Sequence, residues 1–133
     1  DITQKWPPAD VKQLATHPEH LADFPVDHDV APTSLPGGTK AAREQLDNFL
    51  QHKIQHYVES RNEPGQEVTS GLSPYLHFGQ ISAHEVFRRT VDHAGWSTTD
   101  ISDRSNGSST GWWGTSAEVE SFWDELIAWR ELG

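Results

Sequence analysis

The chain has 133 residues, a length that predicts one domain with a modest core. It lacks cysteine, which excludes disulfides, thiolate metal ligands and cysteine nucleophiles, and it also lacks methionine, which is typical of a fragment of a longer protein. The formal charge of −10 by itself argues against binding to nucleic acid, since phosphate binding draws on clustered Lys and Arg. No segment approaches the roughly 20 apolar residues of a membrane span, so we expect a cytoplasmic protein that does not bind membranes.

Proline marks the first part of the chain. Six of the eight prolines lie in residues 1–36, where each removes a backbone donor and disfavours helix at the residue before it. This pattern predicts an extended linker over 1–36 with one short helix near 9–16. From residue 37 onward the periodicity is helical, so the sequence predicts an all-α fold in which this linker precedes a small helical bundle over 37–133.

The clearest helix is predicted between the Gly37-Gly38 pair and the Pro64-Gly65 pair, which punctuate its two ends. Apolar residues recur within it at steps of three and four, so they fall on one stripe of a two-faced helix. The stripe consists of Ala42, Leu46, Phe49, Leu50, Ile54, Tyr57 and Val58.

The run Thr69 to Ser82, "TSGLSPYLHFGQIS", concentrates hydroxyls, glycine, proline and aromatic rings. Hydroxyls and backbone amides beside a glycine can hold a phosphate or diphosphate. On spacing alone, the favoured interpretation is a capped turn next to a buried aromatic cluster. Ser82 is followed by Glu85 at the spacing of a capping box, which predicts that Ser82 is a helix N-cap.

A loop rich in Ser, Thr and Gly is predicted over 97–114, and the same capping spacing recurs after it at Thr115 and Glu118. In the last predicted helix, steps of about 100° per residue place Glu125 and Trp129 on one flank of an apolar stripe and Trp123 on the other. The stripe itself is Val119, Phe122, Leu126 and Arg130.

These motifs resemble those of a known family. The long run "TSGLSPYLHFGQIS", with "YVESRNEPG" before it and "ELIAWREL" after it, closely resembles the flavin-binding domain of the photolyase and cryptochrome flavoproteins. Its wording is most similar to the class II cyclobutane pyrimidine dimer photolyases. The resemblance extends from about Gly37 to Gly133, and it implies a helical FAD-binding domain that repairs ultraviolet-induced pyrimidine dimers by light-driven electron transfer.

The resemblance also implies site residues. On the matching positions, Glu125 and Trp129 meet a dimer flipped out of damaged DNA, as the acid and the stacking ring respectively. The remaining matches line the FAD: Tyr57, Thr69, Ser70, Leu72, Ser73, Trp123 and Arg130. Two positions depart from the family pattern, since Gly71 stands where an arginine is frequent and Trp129 where class II relatives have a basic residue.

Plain structural roles compete with each of these assignments. Trp123 and Trp129 are also explained as core aromatics, Glu125 as a solvated helix acid, and Arg130 as a partner in a surface ion pair. His52 and His56 stand one helical turn apart, but no third ligand accompanies them, so we expect no metal site.

Compared with the family, the chain lacks an antenna domain and the second half of the catalytic domain. We therefore expect it to be a photolyase fragment, inactive in isolation, that does not retain FAD. Two other functions stay open at this point. A cryptochrome-type photoreceptor would keep the flavin pocket without repair, and an acidic helical interaction module would self-associate through its apolar face.

Overall fold

The computed structural model describes residues 10–12, 27–31, 33–60, 68–103, 107 and 110–129, apart from the side chain of Trp129. The chain divides into two units, Asp1–Ser34 and Leu35–Gly133. In the first unit, residues 11 and 12 are helical, and the rest of the helix predicted near 9–16 lies outside the described residues. The described part of the second unit is helical and contains no strand, which confirms the all-α prediction. None of the described helices is long and apolar enough to cross a membrane.

The predicted long helix is present up to residue 60 but is not uniform, and its predicted end at Pro64-Gly65 lies outside the described residues. Helix α1, Thr39–Asn48, continues into a π-helical turn at Phe49–Lys53, a 3-10 turn at Ile54–His56 and the short helix α2, Tyr57–Ser60. Six of the seven predicted stripe residues are buried, whereas Val58 is 42% exposed. The π and 3-10 turns change the angular step between residues, so the α-helical pattern no longer holds at Val58.

Helices α3, Ser73–His77, and α4, Ala83–Ala94, follow the hydroxyl-rich run. The predicted cap of α4 is confirmed, because Ser82 Oγ accepts a hydrogen bond from the Glu85 amide at 3.1 Å. The Glu85 carboxylate pairs with Arg43 on α1, whose Nε lies 2.6 Å from it. A second ion pair joins the same two helices through Asp47 and Arg89.

Helix α5, Ala117–Trp123, is capped one residue later than predicted. Ser116 is the N-cap, with its Oγ accepting from the Val119 amide at 3.4 Å, so the prediction of Thr115 was wrong. Both residues can cap a helix, but the residue three positions after the actual N-cap is Val119 and not an acid, so the capping-box spacing selected the wrong neighbour. After Trp123 the helix widens into a π-helical turn, Asp124–Trp129.

The core of the second unit lies between the α1–α2 stretch and α5. Phe122 of α5 contacts the rings of Phe49 at 4.8 Å and Tyr57 at 5.6 Å between centroids. A group of rings continuous with this core, here called the tryptophan cluster, consists of Phe87, Trp96, Trp112, Trp113 and Trp123. Trp123 is its fully buried centre, whereas Trp112 lies at the edge and is 37% exposed.

Glu120 joins the predicted loop to α5. Its carboxylate is 4% exposed and accepts hydrogen bonds from the amides of Gly111, at 2.7 Å, and Trp113, at 3.3 Å. The indole of Trp96 donates to the Trp113 carbonyl at 2.6 Å, which closes the loop over the tryptophan cluster. A buried carboxylate needs such donors, so Glu120 fixes the path of the loop.

We expect a pH-dependent loss of stability in Glu85→Gln. The hydrogen bond from Arg43 lowers the pKa of Glu85 below its ordinary value of 4.5. Because the folded-state pKa is the lower one, the stabilisation is present above the unfolded-state pKa and disappears as the pH falls through the folded-state pKa. The variant should melt slightly below the wild type at neutral pH, and the two should converge in acid.

Thermal unfolding followed by circular dichroism over a pH series measures this difference. Glu44→Gln is the matched control. Glu44 is more exposed than Glu85, and its Oε1 lies 3.8 Å from Lys40 Nζ, so this surface ion pair contributes little to stability. A Glu85→Gln deficit that persists unchanged in acid would show that the ion pair is not its cause.

Candidate functional site

Residues Thr69–Ser73 form a tight turn, here called the hydroxyl turn, just before and at the start of α3. Ser70 Oγ accepts a hydrogen bond from the Leu72 amide at 3.3 Å. Leu72 is 1% exposed and anchors the turn in the core, whereas the side chains of Thr69 and Ser73 are exposed. Their hydroxyls are therefore presented to solvent from a fixed backbone.

Gly71 allows this turn to form. Its φ of +65° is in the left-handed region, which residues with a side chain rarely adopt. A Cβ at this position would also lie 2.6 Å from Gln45 Nε2, which is far closer than van der Waals contact. The departure from the family's frequent arginine thus has a structural reason in this chain.

The hydroxyl turn forms one wall of a cavity of about 410 Å³, here called the hydroxyl pocket. Five of the seven residues predicted to bind the cofactor line it, and Glu125 lines it as well. The full lining is Tyr57, Thr69, Ser70, Gly71, Leu72, Ser73, Leu76, Phe122, Glu125 and Leu126. Its volume is within the usual range for small-molecule sites.

The pocket combines hydroxyl groups with apolar walls. Glu125 is the one acidic residue among its described lining residues, which include no Lys, Arg or His. Glu125 is exposed, whereas Tyr57 and Leu126 are buried at 8% and 7% exposure. An anionic ligand would therefore be held here by hydroxyl and amide donors, and its charge would have to be balanced by residues beyond this lining.

The other predicted site residues have different placements. Trp123 is fully buried in the tryptophan cluster, outside the lining of the hydroxyl pocket. Its indole nitrogen has no hydrogen-bond acceptor within the described part of the chain. The side chain of Trp129 and all of Arg130 lie outside the described residues.

Glu125 is the second residue of the π-helical turn at Asp124–Trp129. Such a turn accommodates an extra residue relative to an α-helix, so it shifts the register of the residues that follow. Glu125 reaches the hydroxyl pocket from one side of the segment while Trp123 packs on the other, as the two flanks of the apolar stripe predict.

Sequence reasoning missed two features of this region. Gln45 is half-buried on α1, and its Nε2 donates to the Ser70 carbonyl at 2.8 Å. Nothing in its local pattern marks it, and the only signal in the sequence was the unusual glycine at position 71. A second cavity, of about 620 Å³, lies between the end of α4 and the start of α5, beside Trp96 and Thr115.

Comparison with known proteins gives a consistent set of relatives. The chain is 35% identical, over 98% of its length, to a deoxyribodipyrimidine photolyase of Methanothermobacter thermautotrophicus. It is 28% identical over 94% of its length to a protein of the same name from Vibrio cholerae. A shorter match, of 35% of the chain, is 53% identical to the deoxyribodipyrimidine photolyase of Arabidopsis thaliana.

The chain spans about a quarter of the length of the first two relatives, namely 24% and 22%. No protein-family model matches it. The similarity therefore concerns one segment of much longer enzymes.

Proposed function

We propose, from the premise that the chain belongs to the photolyase family, that it forms one wall of the FAD site in a light-dependent enzyme that repairs pyrimidine dimers in DNA. The observation that carries the proposal is the hydroxyl pocket. It gathers Tyr57, the hydroxyl turn and Glu125 from distant parts of the sequence into one cavity. The resemblance assigns Tyr57 and the hydroxyl turn to contact with the cofactor, and Glu125 to contact with the DNA lesion.

The lining fits part of an FAD molecule. Ser70 and Ser73 would donate their hydroxyls to the diphosphate, and the positive φ of Gly71 allows the backbone to approach it closely. Tyr57, Leu72 and Phe122 supply apolar surface for the rest of the cofactor. A cavity of about 410 Å³ encloses only a portion of a dinucleotide, in keeping with one wall of a larger site.

Two further residues that the resemblance assigns to the cofactor have different roles in this proposal. Arg130 would supply the positive charge that the described lining of the hydroxyl pocket lacks, since a guanidinium pairs well with phosphate oxygens. Trp123 would act from within the core, by holding the helix that carries Glu125, because it is fully buried in the tryptophan cluster.

FAD, when bound, supplies the electron that opens the dimer, and the protein provides position and electrostatics. Glu125 is exposed at the pocket, where its carboxyl can hydrogen-bond a pyrimidine carbonyl oxygen or give it a proton. This contact stabilises negative charge on that oxygen. Trp129 would stack on the extruded base, which has left the duplex to reach the site.

A repair assay tests this function. The gene product that carries this sequence, at its natural length, should remove dimers from ultraviolet-irradiated DNA under blue light and leave them intact in the dark. Glu125→Gln should repair roughly tenfold to a hundredfold more slowly, because the glutamine amide can donate a hydrogen bond to the pyrimidine carbonyl oxygen but cannot give it a proton. Its flavin content should not change.

The dark reaction and the flavin content are the two controls. Absence of light-dependent repair in a flavin-loaded wild type would contradict the proposed function and favour the photoreceptor alternative. The names of the relatives support repair over both that alternative and an interaction module. Membership of class II stays a prediction.

A further inference from the structure

A single side chain of α1 supports the hydroxyl turn from behind. Gln45 is 25 positions before Ser70, and its Nε2 donates to the Ser70 carbonyl at 2.8 Å in a partly buried contact. It is not among the residues that line the hydroxyl pocket. Its contact with the site therefore passes through the backbone of the turn.

Gln45 occupies the space that a side chain at position 71 would need. The position of a Cβ on Gly71 lies 2.6 Å from Gln45 Nε2, 3.3 Å from Cδ and 3.8 Å from Cγ. The whole end of the glutamine thus packs against the bare Cα of Gly71. A larger residue there would require the end of Gln45 that bonds Ser70 to shift, in addition to the backbone strain at a φ of +65°.

The bond fixes the part of the turn that matters for a ligand. Ser70 lines the pocket, and its Oγ accepts a hydrogen bond from the Leu72 amide at 3.3 Å. With its carbonyl held by Gln45, Ser70 has both its backbone and its side chain in fixed positions. Ser70 and Ser73 then stand in fixed relation before a ligand arrives, which lowers the ordering cost of binding.

We propose that Gln45 and Gly71 act as a matched pair that positions the hydroxyl turn for the diphosphate of the cofactor. Gln45 is a positioning residue, because it acts on the ligand only through the Ser70 backbone. The pair takes the place of a side chain that would reach the diphosphate from position 71. This inference rests on the proposed function, since it takes the ligand of the pocket to be FAD.

The test compares flavin affinity across three variants of the natural-length gene product, titrated with FAD after removal of the bound cofactor. Gln45→Met keeps the length of the side chain but has no donor, so its dissociation constant for FAD should rise about fivefold to tenfold. Gln45→Lys restores a donor of similar reach and should recover most of the affinity. Gln51→Met, an exposed glutamine of the same helical stretch outside this pocket, should bind as the wild type does.

Two further readouts separate positioning from a general loss of stability. The Gln45→Met apoprotein should keep its thermal midpoint within a few degrees, and its backbone NMR signals should shift at residues 70–72. If Gln45→Met does not fold, Gln45→Glu replaces it in the comparison with Gln45→Lys. An ionised carboxylate cannot donate a hydrogen bond to the Ser70 carbonyl.

The outcomes are distinguishable. If the wild type and Gln45→Met bind FAD equally well, the inference is overturned and the proposed function stays intact. A wild type that takes up no FAD overturns the proposed function, and the inference falls with it. Weak binding that Gln45→Lys does not recover shows that the donor is not the cause, and this also overturns the inference.

Discussion

Replacing Ser70 and Ser73 together by alanine should weaken FAD binding roughly a hundredfold, because each hydroxyl contributes one hydrogen bond to a charged diphosphate. Both side chains line the hydroxyl pocket, and Ser73 is exposed, so its removal leaves no unpaired buried group. Titration of the cofactor-free, natural-length gene product with FAD, followed by flavin fluorescence, gives the dissociation constants. Ser70→Ala alone should account for more of the free-energy loss than Ser73→Ala, because Ser70 Oγ also accepts a hydrogen bond from the Leu72 amide within the turn.

Thr115→Ala is the matched control for this double variant. Thr115 lines the second cavity, beside Trp96, and it is not among the residues that line the hydroxyl pocket. It should therefore bind FAD as the wild type does. An equal loss of FAD affinity in the double variant and in Thr115→Ala would show that the hydroxyl pocket is not the FAD site.

Trp123→Ala should cause the largest loss of stability, about 3–5 kcal/mol. Trp123 is fully buried, and its ring lies between 5.1 and 5.2 Å from those of Phe87, Trp96 and Trp113. Alanine would leave a cavity that the surrounding rings cannot close. The free energy of unfolding from denaturant titration measures the effect.

Trp112→Ala is the control within the same cluster. Trp112 is 37% exposed and contacts Trp113 at 4.9 Å between ring centroids, so its removal should cost no more than about 1 kcal/mol. Equal free energies of unfolding in Trp123→Ala and Trp112→Ala would show that Trp123 is not the buried centre of the tryptophan cluster.

Much of the helical framework follows from local pattern. The apolar stripe from Ala42 to Tyr57 and the Ser82 cap depend on residues close together in sequence, and both were predicted correctly. The candidate site was predicted differently, from the resemblance of a long run to a known family. The structure adds that Tyr57, the hydroxyl turn and Glu125 meet in one pocket.

Other features depend on contacts that local pattern does not encode. The apolar periodicity assumes a regular α-helix and does not reveal the π-helical turns at Phe49–Lys53 and Asp124–Trp129, so the exposure of Val58 after the first turn was not predicted. Glu120 looks like an ordinary helix acid in the sequence, yet it is buried under the loop that it holds. Gln45 gains its role only from the turn that lies 25 residues away.

The most direct test of the proposed cofactor site is a crystal structure of the natural-length gene product with FAD. The diphosphate should lie within hydrogen-bonding distance of the hydroxyls of Ser70 and Ser73, with Gln45 still bonded to the Ser70 carbonyl. Density for FAD in the second cavity, beside Trp96 and Thr115, or at a site without contact to residues 69–73, would contradict the assignment.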